Sequence, residues 1–415
     1  MTEAQAANKQ WVLPFAATLF GMMALQISSL GFAPLLPRIQ QAFGMSYSQI
    51  GLFTGMYGLL AIVLSVPAGI AAKYFGEKRV LIAGLLVVAL GLGALSAAGS
   101  FTEAFLGRGL WITGYRFAFV CVLTAIGLTC PPSLRGRSMG ILGAMSSLAS
   151  VIGAPFGSSI GQAFGWRNGI RAFGIAAVLG AVVVAIFYKN CPASSERVET
   201  HSIGEPRTSI AGAPSAFRMP IVWALALLFG LVGMPSFSIT FFVPSAAASI
   251  FNLDSVAASW IISSGYVVAI FLNLLVGYLM DRYNKWIIMG TLMTLLIPSC
   301  LAMTTTHLVV FRIGAAAILG IGFTATNQIY GIAADVMRGR QTGNVMGIVS
   351  LGAGVCGYLG PQMLGALRDW TGRFAAGWYM MAAIAAISVV EFIVLGRHGQ
   401  REKKLHKMSL AGRTP

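Results

Sequence analysis

Polar residues in this chain gather in short clusters between long apolar runs, and the distance from cluster to cluster sets the predicted elements. An apolar helix of about 20 residues spans the hydrocarbon layer of a bilayer. Such runs lie at 12–36, 49–72, 79–100, 102–129, 138–163 and 169–189, and again at 220–246, 256–280, 286–303, 308–334, 343–367 and 374–396. The pattern predicts an all-α membrane protein of twelve transmembrane helices in two six-helix, pseudo-symmetric bundles. The long polar stretch between runs, 190–219, is rich in Ser, Pro, Gly and charge and reads as a flexible linker. The predicted organisation is a first bundle over 1–190, a cytoplasmic linker at 191–219, a second bundle over 220–396 and a basic cytoplasmic tail at 397–415. The run after Gln10 is too long for the apolar core of a signal peptide, so it is expected to stay as the first helix.

Composition agrees. Hydrophobic residues make up 57% of the chain and charged residues 10%, where a soluble globular chain carries about 25% charged. The 50 glycines let lipid-embedded helices approach closely. The net charge of +16 comes from basic residues spread over short loops rather than from a basic domain, so no nucleic-acid partner is expected and the lipid bilayer is. With both termini cytoplasmic, 20 basic residues fall in cytoplasmic segments and 5 in external ones, which fixes the orientation in the cell inner membrane by the excess of positive charge inside. The five cysteines are scattered without a CxxC pair, and the four histidines lie outside the apolar runs, so neither disulfide, metal nor other cofactor is expected.

The halves repeat at an offset near 208: Gly69 in GIAAKYFGEKR answers Gly277 in GYLMDRYNKW, Phe105 and Gly114 answer Phe311 and Gly320, and Pro155 answers Pro361. At these residues nearly the whole chain resembles the major facilitator superfamily. The family's motif in the loop between helices 2 and 3 resembles Gly69, Gly76, Lys78 and Arg79, with Lys73 at its acidic position. The second copy is similar at Gly277, Asp281 and Arg282, with Asn284 where the family has a later glycine. In the family that acid helps lock one conformation, and Lys73 departs from it in the first half. Gly107, Arg108 and Gly114 resemble the family's helix 4 motif, and the Gly-Pro motif of drug–proton antiporters is matched loosely at 153–157. The resemblance implies a secondary carrier, not an enzyme, working by alternating access around a site between the halves near mid-membrane.

Charged side chains inside a span are costly and are candidate functional groups. Arg116 sits near the middle of the fourth helix, a cavity-lining helix in this family. A guanidinium can fork onto a carboxylate or small oxyanion; pairing with carbonyls or a carboxylate of another helix is the competing reading. Arg108 lies two turns away, as a substrate or proton group or as a structural one. Of the twelve acids, Glu391 alone falls well inside a predicted span, in a peripheral helix. The family's cation-drug antiporters keep a membrane carboxylate in the first half, and its absence here points to an anion. Uncharged polar groups that could complete the site are Gln26, Tyr57, Tyr266, Asn273, Asn327, Gln328 and Tyr330. A hydrogen bond between helices explains each equally well.

The expectation is a monomeric secondary carrier of a small anion, an organic carboxylate or a small inorganic anion. Its texture is similar to carriers of the cyanate, nitrate and oxalate–formate kinds. No nucleotide-binding loop is present, so coupling to a proton, a counter-anion or the substrate's own gradient is implied. Efflux of hydrophobic compounds is the alternative, drawn from the loose Gly-Pro motif and the aromatic residues Trp111, Tyr115, Phe117 and Phe119 of helix 4. A transporter-like membrane sensor is a third reading.

Overall fold

The computed structural model describes residues 12–129, 135–188, 219–336 and 342–411, with side chains placed except at 126–140, 281, 331, 334–347 and beyond 396. Its helices are α1 (Val12–Phe43), α2 (Tyr47–Phe75), α3 (Glu77–Ala97), α4 (Phe101–Thr129), α5 (Arg135–Phe164), α6 (Trp166–Phe187), α7 (Pro220–Phe251), α8 (Ser255–Arg282), α9 (Lys285–Ala302), α10 (Leu308–Val336), α11 (Thr342–Thr371) and α12 (Phe374–Ala411). Among the described residues, ten of these helices are long and apolar enough to cross a membrane; α4, which carries Arg108 and Arg116 inside its apolar run, and α11 do not reach that measure over their described part. The expected linker lies outside the described residues except for Met219.

Two helix ends differ from the sequence reading for identifiable reasons. Instead of stopping at 36, α1 tightens into a 3-10 turn at Ala33–Leu35 and resumes through Phe43. Pro34 and Pro37 remove backbone donors there, and each sits where a new helical segment starts and its N–H would go unused. At the other end α12 continues past 396 to Ala411, because the Arg, Lys, Glu and Leu residues that follow are good helix formers.

The halves repeat in three dimensions. In the first half α1 packs on α5 and α6, α3 on α4 and α6, α2 on α4, and α5 on α6. The second half has the same set shifted by six helices: α7 on α11 and α12, α9 on α10 and α12, α8 on α10, and α11 on α12. Gly107 meets Leu95 of α3 as Gly314 meets Ala302 of α9. Turn residues repeat too. Gly44 and Asn252 end α1 and α7 with φ 61° and 52°, and Gly165 and Gly372 stand at the α5–α6 and α11–α12 turns with φ 87° and 72°.

Two seams, α2 against α11 and α5 against α8, join the halves, and both are tight toward one face only. At that closed face Asp369 of α11 accepts hydrogen bonds from the backbone N–H groups of Tyr47 (2.9 Å) and Ser48 (2.7 Å) in the first turn of α2. Asp254, the N-cap of α8, accepts from Gln162 of α5 at 3.2 Å. Deeper along the seams Ser158 donates to Ser259 (3.0 Å) and Ser263 to the Val151 carbonyl (2.8 Å). A Cβ at Gly55 would stand 2.9 Å from the Tyr358 carbonyl oxygen, and one at Gly51 2.6 Å from that of Pro361.

Toward the opposite face the same helices separate. Along α2 nearly every position from Leu59 to Phe75 is exposed or half-buried, Ala68 and Ala72 being covered. A Cβ added at Gly69, Gly143 or Gly277 would meet open space. The molecule is thus closed at the face of the α1–α2, α7–α8 and α11–α12 turns and open at the face where α2, α5, α8 and α11 splay.

Candidate functional site

Arg116 stands halfway along α4, half-buried, beside the α2–α11 seam. Its Nη2 donates to the Tyr57 carbonyl at 3.0 Å, and its Cζ lies 4.0 Å from the Tyr57 ring centre and 5.8 Å from that of Tyr115. The guanidinium is held by a carbonyl and two aromatic faces, and such cation–π contacts contribute roughly 0.5–2 kcal/mol each. Nε is buried with no hydrogen-bond partner, and among the described residues no carboxylate pairs with the group. An N–H withdrawn from water without an acceptor costs about 1–3 kcal/mol, so the Nε–H is an unsatisfied buried donor.

The residues around it form a polar chain through four helices of the first half. Tyr57 of α2 donates to the Tyr115 hydroxyl of α4 at 3.5 Å. Tyr115 donates to Gln26 Oε1 of α1, and Gln26 Nε2 donates to Ser146 Oγ of α5. Donors and acceptors run in one direction, which orients each group.

On the other side of the seam the character changes from polar to aromatic. Tyr57 lies 6.4 Å from Phe237 of α7, Phe237 6.1 Å from Phe323 of α10, and Phe323 5.2 Å from Tyr266 of α8, ring centre to ring centre. Tyr330 of α10 packs its ring on Phe229 at 4.9 Å and shares a hydrogen bond with Ser350 at 3.1 Å. Asn327 donates to Asn273 at 3.2 Å, pairing α10 with α8, and Gln328 is half-buried beside it. Arg116, Gln26 and Tyr57 therefore converge through Tyr115, Tyr266 joins them from the second half through the ring series, Tyr330 pairs with Phe229 and Ser350, and Asn273 with Asn327 forms a separate amide pair.

Arg108 occupies a different environment. It is fully buried, its Cζ is 4.0 Å from the Trp111 ring, 4.4 Å from Phe32 and 5.7 Å from Phe53, and none of its three nitrogens has a hydrogen-bond partner. It is sealed among α1, α2 and α4 rather than presented to the gap. Two apolar grooves of about 480 Å³ run beside α4, both lined by Thr113; Arg79, Gly114 and Phe117 line one of them, and Arg116, Arg108 and the uncharged polar candidates line neither.

The loop motif is placed at the open face. Gly69 and Lys73 are exposed on the last turns of α2. Gly76 turns the chain into α3 with φ 82°, a conformation L side chains avoid. Asn284 needs no such glycine in the second copy: it sits at φ −65° and caps α9 by accepting from the Trp286 N–H at 3.0 Å. Gly277 faces open space, Arg282 packs over the Tyr278 ring at 4.4 Å, and the Asp281 side chain lies outside the described residues.

The twofold-repeated twelve-helix arrangement is also what comparison with known proteins supports. The sequence profile described as Major Facilitator Superfamily matches residues 16–327 and 225–412. The chain belongs to the major facilitator superfamily. Superfamily relatives include an uncharacterized MFS-type transporter, YwfA, of Bacillus subtilis strain 168, 26% identical with 95% of this chain and 94% of the relative covered. A probable nitrate transporter, NarT, of Staphylococcus epidermidis is 23% identical, covering 94% of this chain and 96% of that one. The hexuronate transporter of Bacillus subtilis strain 168 is 23% identical over 86% of this chain and 88% of its own. Among solved structures, a bacterial homolog to the human lysosomal transporter Spinster, in an inward-facing and occupied conformation, aligns with TM-score 0.78 at 15% identity, covering 92% and 96% of the two chains. The superfamily protein is accordingly a multi-pass membrane transporter and not an enzyme.

The residues that sequence reasoning missed are those defined by contact. Phe237 and Phe323 sit in uniformly apolar runs with no local mark. Ser146 is one of many serines. Asp369 and Asp254 had a signal, each an acid at a helix end, but their partners lie 322 and 92 residues away.

Proposed function

We propose that this transporter carries a small anion, held at the Nε–Nη2 edge of Arg116 and passed across the membrane by rocking of the halves 1–190 and 220–396. The observation that carries the reading is a mid-membrane guanidinium with a buried, unpartnered N–H and no carboxylate among its described neighbours. A buried cation without a counter-charge is strongly disfavoured, and an arriving anion supplies that charge. The named cargo of two relatives supports the class, since nitrate and hexuronate are both anions. The excess of basic residues on one set of loops supports a reading with the open face, the linker and both termini cytoplasmic and the chain a monomer in the inner membrane. The closed face is then external, and a proton or counter-anion moving through the same cycle provides coupling.

Hydrophobic efflux is favoured by the aromatic wall and by nothing at Arg116, so one substitution separates the readings. In proteoliposomes Arg116→Ala should abolish counterflow of the anion tested and Arg116→Lys should reduce it strongly, because an ammonium lacks the planar fork. Full-rate anion counterflow by well-folded Arg116→Ala protein would sink the anion reading and put neutral apolar cargo in its place.

A further inference from the structure

The site's wall narrows the anion. We propose that the cargo is an aromatic monocarboxylate, its carboxylate on Arg116 and its ring against Phe237 and Phe323; this rests on the anion reading above.

One guanidinium edge matches one carboxylate. Two parallel N–H···O bonds need the Nε–H and one Nη2–H on a shared edge, while the remaining Nη2–H serves the Tyr57 carbonyl. A second carboxylate would need a second accessible cation. Arg108, the neighbouring cation of α4, is fully buried inside its cage of Phe32, Phe53 and Trp111 and faces no gap. A dicarboxylate would bring an uncompensated charge into the membrane interior.

Beyond the guanidinium the wall is made of rings. Phe119, Tyr115, Tyr57, Phe237, Phe323 and Tyr266 follow one another at 5.8, 5.5, 6.4, 6.1 and 5.2 Å between centres. They come from α4, α2, α7, α10 and α8, so the series crosses from one half to the other. Phe119, Tyr57, Phe237 and Phe323 are half-buried rather than sealed, which leaves each with accessible surface. Separations of about 4.5–7 Å are those of offset-stacked and edge-to-face aromatic pairs, so a planar ring adds to the series in the geometry its members already adopt. Nitrate, formate or acetate would satisfy Arg116 and leave Phe237 and Phe323 uncovered.

The polar groups agree with this. Tyr57, Tyr115, Gln26 and Ser146 are joined to one another, and Asn273 and Asn327 are joined to each other. A cargo with many hydroxyls would have to break these bonds, whereas an aromatic acid needs none of them.

The test is calorimetric titration of the purified full chain with benzoate, acetate, nitrate, terephthalate and benzyl alcohol. Benzoate should bind about tenfold or more tighter than acetate or nitrate, the lower end of what covering a ring's apolar area provides. Terephthalate should bind more weakly than benzoate, and benzyl alcohol should not bind measurably. Phe237→Leu and Phe323→Leu, which keep apolar volume and lose the ring, should weaken benzoate several-fold and leave acetate unchanged. Arg116-dependent binding of acetate or nitrate as tight as benzoate, or benzoate affinity indifferent to both Phe variants, overturns the aromatic assignment while the anion site stands. Anion binding that survives Arg116→Ala overturns both, and equal binding of benzyl alcohol and benzoate does the same in favour of neutral cargo.

Discussion

Asp369 should act as a latch on the closed state, and its size can be worked from its contacts. The carboxylate reaches from α11 to the first two amides of α2, so it joins the halves rather than supporting either one. Charge-assisted hydrogen bonds contribute about 1.5–3 kcal/mol when buried, but Asp369 is exposed and solvent screening reduces that several-fold. The positive end of α2 adds roughly 0.3–1 kcal/mol. A net contribution of about 1 kcal/mol follows, or about fivefold in the ratio of closed to open at this face. Partial burial pushes the carboxyl pKa up, yet hydrogen bonds from the Ser48 side chain and the Ser48 and Tyr47 amides outweigh it and hold the value below the ordinary range. A depressed pKa means that the latch is fully present above the ordinary carboxylate range and is lost as pH falls through the lowered value. Spin labels at Ala42→Cys and Ile250→Cys, exposed positions on α1 and α7, would report the closed-face distance once the native cysteines are replaced. Asp369→Ala should increase the long-distance population about fivefold, with the unsubstituted latch flat between pH 8 and pH 5. An unchanged distance distribution in Asp369→Ala would refute the latch, and a steep loss of closure between pH 7 and pH 6 would refute the assigned titration.

Two further substitutions probe the frame. Arg108→Met should raise the thermal midpoint, because losing a buried charge with three unpartnered nitrogens relieves several kcal/mol of desolvation against cation–π contacts of about 0.5–2 kcal/mol each; a clear fall in midpoint would show that the cage more than compensates. Gly55→Ala places a methyl 2.9 Å from the Tyr358 carbonyl oxygen and should part the α2–α11 seam at a cost of about 1–3 kcal/mol, read as a longer distance in the same label pair, with an unaltered distance counting against a close-packed seam.

The topology was legible because membrane helices announce themselves: apolar length, basic loops and a repeat at matched positions suffice for twelve spans in two halves. Arg116 stands out in the sequence for the same reason, since charge is rare in such runs. What sequence could not separate was Arg116 from Arg108. Both are arginines of one helix, eight residues apart, and only packing reveals that one is caged by Phe32 and Trp111 while the other is half-buried against Tyr57. The aromatic wall was invisible because Phe237 and Phe323 stand among equally apolar neighbours, and their meaning arises from rings contributed by other helices. The helix boundaries erred at α1 and α12, where prolines and an extended run of helix formers act locally against a reading based on apolar length.

The hydrogen bond from Arg116 to the Tyr57 carbonyl has a consequence for signal transmission. That carbonyl belongs to the peptide group joining Tyr57 to Gly58, and Gly58 is pressed against the backbone of Gly354 in α11. The guanidinium's acceptor and the close contact between the halves are thus two ends of one rigid amide plane. On the anion reading proposed above, news of an occupied site would have no relay to cross: whatever reorients the guanidinium would tug directly on the surface along which the halves meet.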